Sequence, residues 1–151
     1  MGCCVRICEL IRRGLPLYQV AASEEGAAGW MRVGFALARA LEAAGYRLPR
    51  DEQDHGATLL EVFPDAAFVM LLGARPPKKT LPAGSAVRRE LLAGAGVAVD
   101  PAWTHDELDA VASALTALRW RRGVGCALGH PEEGLIVLPV ARAALGEDRA
   151  T

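Results

Sequence analysis

The sequence predicts an α/β fold that is rich in helices and short of strands. Three observations carry this expectation: apolar residues recur at intervals of three and four in several segments, two short apolar runs have strand composition, and glycine or proline separates one segment from the next. The chain has 151 residues, 52% hydrophobic and 23% charged, the composition of one globular domain, 1–151, with a core of its own.

Taken in order, Cys4, Cys8 and Ile11 stand at helical spacing, so residues 5–13 are expected to form a short helix that ends at Gly14 and Pro16. In 27–44, Trp30, Val33, Leu37, Ala40 and Leu41 recur at three and four, which predicts a helix with that core face, stopped by Gly45. The polar stretch "YRLPRDEQDHG" reads as a surface loop leading to a strand at 59–63. Pro64 and Asp65 then open a helix through "DAAFVMLLG": proline fits a first turn, and a carboxylate there complements the helix dipole. "ARPPKKTLPAGS" reads as a loop, and "SAVRRELLAGAG" as a helix with Arg88 and Arg89 on its surface. Thr104 and Glu107 have capping-box spacing and start the best-marked helix, 104–122, whose core face is Leu108, Val111, Ala112, Leu115 and Leu118 or Arg119. A second strand is expected at 134–139, and from Ala141 onward at most a frayed helix.

Two strands far apart in sequence make a marginal sheet, and a run as apolar as "LLEVF" belongs inside a larger one. Either partner strands come from another chain, a partner or a second copy in a homodimer, through an exposed sheet edge, or strands are missing at the N-terminus.

Charge and cysteine content exclude several classes. A net charge of −1 is not that of a generally basic nucleic-acid binder, although the only lysines, Lys78 and Lys79, can form a local basic patch with arginines. No apolar run reaches the roughly 20 residues of a membrane helix, so no membrane partner is expected. Cys3, Cys4, Cys8 and Cys126 lack Cys-x-x-Cys pairing, and the cytoplasm is the expected compartment. "MGCCVR" has Arg6 where a myristoylation signal needs Ser or Thr. His55, His105 and His130 are scattered, and "GVGCALG" lacks the ending of a nucleotide-binding loop.

Three carboxylates stand out. Glu61 interrupts the strand at 59–63, where alternation sets it opposite Leu60 and Val62; a buried salt bridge to an arginine is the plain explanation. Asp106 and Asp109 are three apart on one helix face that continues through Ser113 and Thr116. Their plain explanation is dipole complementation and solvation. The functional one gathers strand Glu and helix Asp around magnesium or manganese, which favour oxygen ligands and can activate water on a phosphodiester.

In order along the chain, "RICELIR", "EVFP" at 61–64, "KK" at 78–79, "RRELL" at 88–92, "DELDAVASALTA" at 106–117 and "PEEGLIVLP" at 131–139 resemble domain-of-unknown-function family 429, predicted nucleases with a ribonuclease-H-like fold. The resemblance spans nearly all of this chain and the later part of the family domain. It implies an α/β, ribonuclease-H-like, N-terminally incomplete domain that hydrolyses phosphodiesters in nucleic acid with Mg or Mn. Glu61, Asp106 and Asp109 would be the catalytic, metal-binding carboxylates, and Lys78, Lys79 and Arg88 the substrate contacts. Glu133 matches a late acidic-glycine motif without an assigned role. The family's leading aspartate strand has no counterpart before Met1, so the expectation includes a chain that is inactive by itself. The alternative expectation is a non-catalytic interaction domain that pairs its sheet edge.

Overall fold

A computed structural model describes residues 25–51, 53–54, 56–130, 132 and 134–145. The expected helix at 5–13, Cys3, Cys4, Cys8, His55 and Glu133 lie outside the described residues. Among the described residues the fold is mixed α/β, with four helices and a small three-stranded sheet. The helices are α1 (Gly29–Ala43), α2 (Pro64–Leu72), α3 (Pro82–Gly94) and α4 (His105–Arg121). The strands are β1 (Glu61–Val62), β2 (Cys126–His130) and β3 (Gly134–Leu138), and a 3-10 turn follows at Arg142–Leu145.

The sheet order is β1-β3-β2: β1 runs parallel to β3, with Glu61 beside Ile136, and β2 pairs antiparallel with β3, from Cys126 beside Leu138 to His130 beside Gly134. Both faces of β3 are covered, which is why its sequence is apolar throughout instead of alternating. On one face Ile136 and Leu138 pack with Cys126, Leu128 and Ala66 of α2; on the other, Leu135 and Val137 pack with Ala127 and Trp120 of α4. A helical layer holds the second half of the core, where Phe68, Leu92, Leu108, Ala112 and Leu115 join α2, α3 and α4.

Local signals set the helix ends. Pro64 and Pro82 occupy the first turns of α2 and α3, where a missing N–H costs nothing. Gly73 closes α2 at φ +75, a left-handed conformation that a side chain would strain. The capping box of α4 is complete: Glu107 N–H donates to Thr104 Oγ1 and Thr104 N–H to Glu107 Oε2 at 2.7 Å.

Several expectations are corrected. The strand of 59–63 shrinks to the two residues of β1, and "GVGCALG" supplies β2, a strand that weak β-formers conceal until β3 pairs with them. Val33 and Leu37, expected in a core, are 68% and 58% exposed, so α1 turns much of its apolar stripe outward. In α4 the expected stripes are displaced: Leu118 is exposed, whereas Thr116 is fully buried and satisfies its hydroxyl on Ala112 O at 2.8 Å. Helix α3 begins three residues before Ser85, and its Arg88, expected on the surface, is 2% exposed.

Candidate functional site

Two motifs thirty residues apart in sequence meet in the structure. Lys79 Nζ donates to Asp109 Oδ2 at 2.7 Å and lies 3.5 Å from Asp106 Oδ1. Asp106 and Asp109 share the first turns of α4, whose start is pinned by the Thr104–Glu107 box, so the two carboxylates stand three apart on one face. His105 completes the group with Nδ1 at 2.8 Å from Asp106 Oδ1.

The environment grades these side chains. The Asp109 side chain is mostly buried, those of Lys79 and His105 are partly exposed, and that of Asp106 is open to solvent. Asp109 first, and Asp106 behind it, raise the pKa of Lys79 and so keep it charged. The Asp106 carboxyl is held below its ordinary value, first by the His105 hydrogen bond and then by the charge of Lys79. Hydrogen bonds from Thr104 do the same for Glu107.

Why Lys79 points at α4 follows from the segment that carries it. Pro77 O accepts from Arg88 Nη1 at 2.9 Å, and Lys79 O accepts from Ser85 Oγ at 3.1 Å. Between them, Lys78 O lies so close to Gly84 that a Cβ there would come within 2.0 Å of it. Three consecutive backbone units are thus held by positions 84, 85 and 88 of α3. Only glycine permits that approach, which explains its presence in a helix it otherwise weakens.

Arg88 is itself braced. Its Nη2 pairs with Asp65 Oδ1 at 2.8 Å, Nη1 also donates to Gly84 O, and the guanidinium lies over the Phe68 ring, 5.1 Å from its centroid. Asp65 sits in the first turn of α2, directly after β1. Arg88 therefore connects the sheet edge to the lysine loop from inside the protein and presents no face to solvent.

The sequence-predicted residues thus separate into three groups. Lys79, Asp106 and Asp109 are brought together, Lys78 is exposed beside them, and Arg88 supports their loop. Glu61 is exposed and not buried; its ladder neighbour Ile136, together with Phe63, belongs to the sheet face packed by α2, opposite Leu60 and Val62. Among the described residues no three His, Cys, Asp or Glu side chains stand together in a way that could hold a metal ion, so Glu61 does not join Asp106 and Asp109 in such a group. Sequence reasoning missed Gly84, Ser85 and the bracing role of Asp65. A glycine four residues before an arginine, on the helical face of Leu91 and Leu92, was the signal available.

The family model described as "Protein of unknown function (DUF429)" matches residues 17–133, most of the chain. The chain belongs to the DUF429 family. The match takes in the Lys78–Lys79 loop, Arg88 and the Asp106–Asp109 face together. No curated protein and no solved structure matches the chain. Among the described residues of this DUF429 member, no helix is long and apolar enough to cross a membrane.

Proposed function

We propose that this chain is a nuclease-like domain of ribonuclease-H-like type, acting on phosphodiesters of nucleic acid with magnesium or manganese in the cytoplasm. The observation that supports it is the meeting of the lysine loop with the Asp106–Asp109 face: phosphate-neutralising and cation-ligating groups stand side by side, as hydrolysis of a polyanion requires. The mixed sheet, with a parallel β1 beside an antiparallel β2–β3 hairpin, accords with the fold reading.

The donor set fits a hard cation in kind, since Asp106 and Asp109 offer carboxylate oxygens on one face. Glu61, exposed on β1 and outside the Asp106–Asp109 pair in this structure, is the third carboxylate that the reading expects and that the cleavage test decides. A bound magnesium or manganese ion would lower the pKa of water and offset charge on the leaving oxygen. The chain's own residues have separate tasks. Lys78 contacts a backbone phosphate, Lys79 lies between phosphate and carboxylates, and Arg88 holds the loop that presents both lysines.

The test is cleavage of labelled DNA and RNA strands with manganese by the wild type and the Asp109→Asn and Glu61→Gln variants. Cleavage by the wild type that both substitutions abolish supports the reading. Cleavage by none of the three, or equally by all, overturns it, and loss in Asp109→Asn alone removes Glu61.

A second reading, a non-catalytic interaction domain, draws on α1, whose Val33 and Leu37 face outward. Size-exclusion chromatography with light scattering tests it, since a monomer at high concentration argues against self-association.

A further inference from the structure

At the far end of α4 from Asp106 and Asp109, roughly 20 Å along the helix, the surface folds into a groove of about 680 Å³. Its walls are the end of α3 with Val97 behind it, the last turns of α4 with Val124 after them, and the chain that leaves β3 through Pro139 and Val140. Leu118 stands in line with Val111 and Leu115 on the core side of α4, yet it and Val124 are exposed at the groove. The apolar stripe of the helix thus runs on past the last residues that cover it.

The charge of the groove is one-sided. Arg119 and Arg122 line it, and none of its lining residues is acidic. The imbalance is written into the chain: no Asp or Glu occurs in 91–99, 110–131 or 134–146, the stretches from which the walls are drawn, although the whole protein has a net charge of −1. Arg119 Nη1 donates to Pro139 O at 2.6 Å, which fixes its guanidinium between two walls. Among the described residues that is its one side-chain hydrogen bond, and the Arg122 side chain has neither ion pair nor hydrogen bond. A guanidinium carries several N–H donors, so most of them remain for a ligand.

We propose that this groove is a binding site for a small apolar carboxylate, whose hydrocarbon body lies on Leu115, Leu118, Val124 and Val140 while its charged end is held by Arg119 and Arg122. The volume lies within the range of about 300–1,000 Å³ that small-molecule sites occupy. A nucleic-acid strand needs cations along its length and would leave the apolar wall unused. A carboxylate suits the charged end because both its oxygens can accept from one guanidinium fork, and the second charge of a phosphate monoester costs more to desolvate beside apolar walls. Burial of the body supplies the attraction, and the arginines select the anion. The site is independent of the nuclease-like reading.

Proton–nitrogen NMR of the full chain, titrated with sodium octanoate, 1-octanol or sodium acetate, tests this in the wild type, Arg122→Gln and Leu118→Glu. Both substituted side chains are exposed, and the spread of amide signals checks that each variant is folded. Octanoate should shift the signals of Leu118, Arg122, Val124 and Val140 at millimolar concentration. Octanol and acetate should each bind about tenfold more weakly, since each lacks one half of the recognition. Arg122→Gln should weaken octanoate about tenfold, the size of a hydrogen bond to a charged group. Leu118→Glu should abolish saturable binding, because a like charge then faces the carboxylate; if it fails to fold, Arg122→Gln decides. Octanol or acetate binding as tightly as octanoate overturns the proposal, leaving an apolar patch or a bare anion contact. Shifts confined to other residues, affinity unchanged in Arg122→Gln, or no saturable binding of octanoate overturn it as well. So does a concentration-dependent dimer that shifts these same signals, which would give the groove to a second copy.

Discussion

Arg88 and Lys79 make the same kind of contact and live in different surroundings. Each is a cation paired with an aspartate in the first turns of a helix, at 2.8 Å for Arg88 with Asp65 and 2.7 Å for Lys79 with Asp109. The Arg88 side chain is 2% exposed, however, and that of Lys79 is 37% exposed. Distance does not separate these two pairs; desolvation does. A buried guanidinium cannot leave without stranding its partners, whereas a rim ammonium exchanges its carboxylates for water at little cost. Arginine suits the first position because its planar fork reaches Pro77 O, Gly84 O and Asp65 together, and lysine suits the second because a single flexible charge can move.

Substitutions can break this comparison at graded strength. Arg88→Met should have the largest effect: removing the buried cation strands Asp65 and the Pro77 carbonyl, and urea unfolding should show a loss of roughly 3 kcal/mol. A loss below about 1 kcal/mol would make the brace no different from a surface pair. Next comes Gly84→Ala. In an ordinary helix interior this change stabilises by about 1 kcal/mol, but here the Cβ meets Lys78 O, so a melting experiment should show destabilisation of about 2 kcal/mol.

Thr104→Ala should cost about 1 kcal/mol, because it opens the capping box that sets where Asp106 and Asp109 begin. That box also carries an acid dependence. Glu107 is depressed in the folded state, so its contribution is fully present above the ordinary glutamate pKa and is lost as pH falls through the lower folded value. Glu107→Gln should therefore flatten the acid side of a stability-versus-pH curve, and an unchanged slope would assign the dependence elsewhere. The smallest effect on stability is expected for Lys79→Met, under about 1 kcal/mol and smaller still in high salt, as denaturation at two ionic strengths would show. If Lys79→Met proved as damaging as Arg88→Met, the distinction between brace and movable cation would fail.

Much of this was legible in the sequence where short-range chemistry decides. Thr104 with Glu107 marked the start of α4 and Pro64 with Asp65 that of α2, because caps and first turns depend on residues within three or four of each other. The spacing of Asp106 and Asp109 announced a shared face for the same reason. Strand β2 was not legible: Cys126, Ala127 and Gly129 have little preference for extended structure, and only pairing with β3 selects it. The outward stripe of α1 was hidden as well, since periodicity shows that a helix has an apolar side and not what lies against it.

The candidate site divides along the same line. By itself the sequence determined its membership in outline, with Lys78, Lys79, Arg88, Asp106 and Asp109 all legible as charged residues in ordered motifs, and Glu61 beside them. Only the tertiary structure decided their tasks. It buried Arg88 against Phe68 and Asp65, clamped the loop through Gly84, aimed Lys79 at Asp109 across thirty residues, and left Glu61 at the exposed end of a two-residue strand. The reason is that what a charge does depends on how much water and which partners surround it, and both are set by packing between segments distant in sequence.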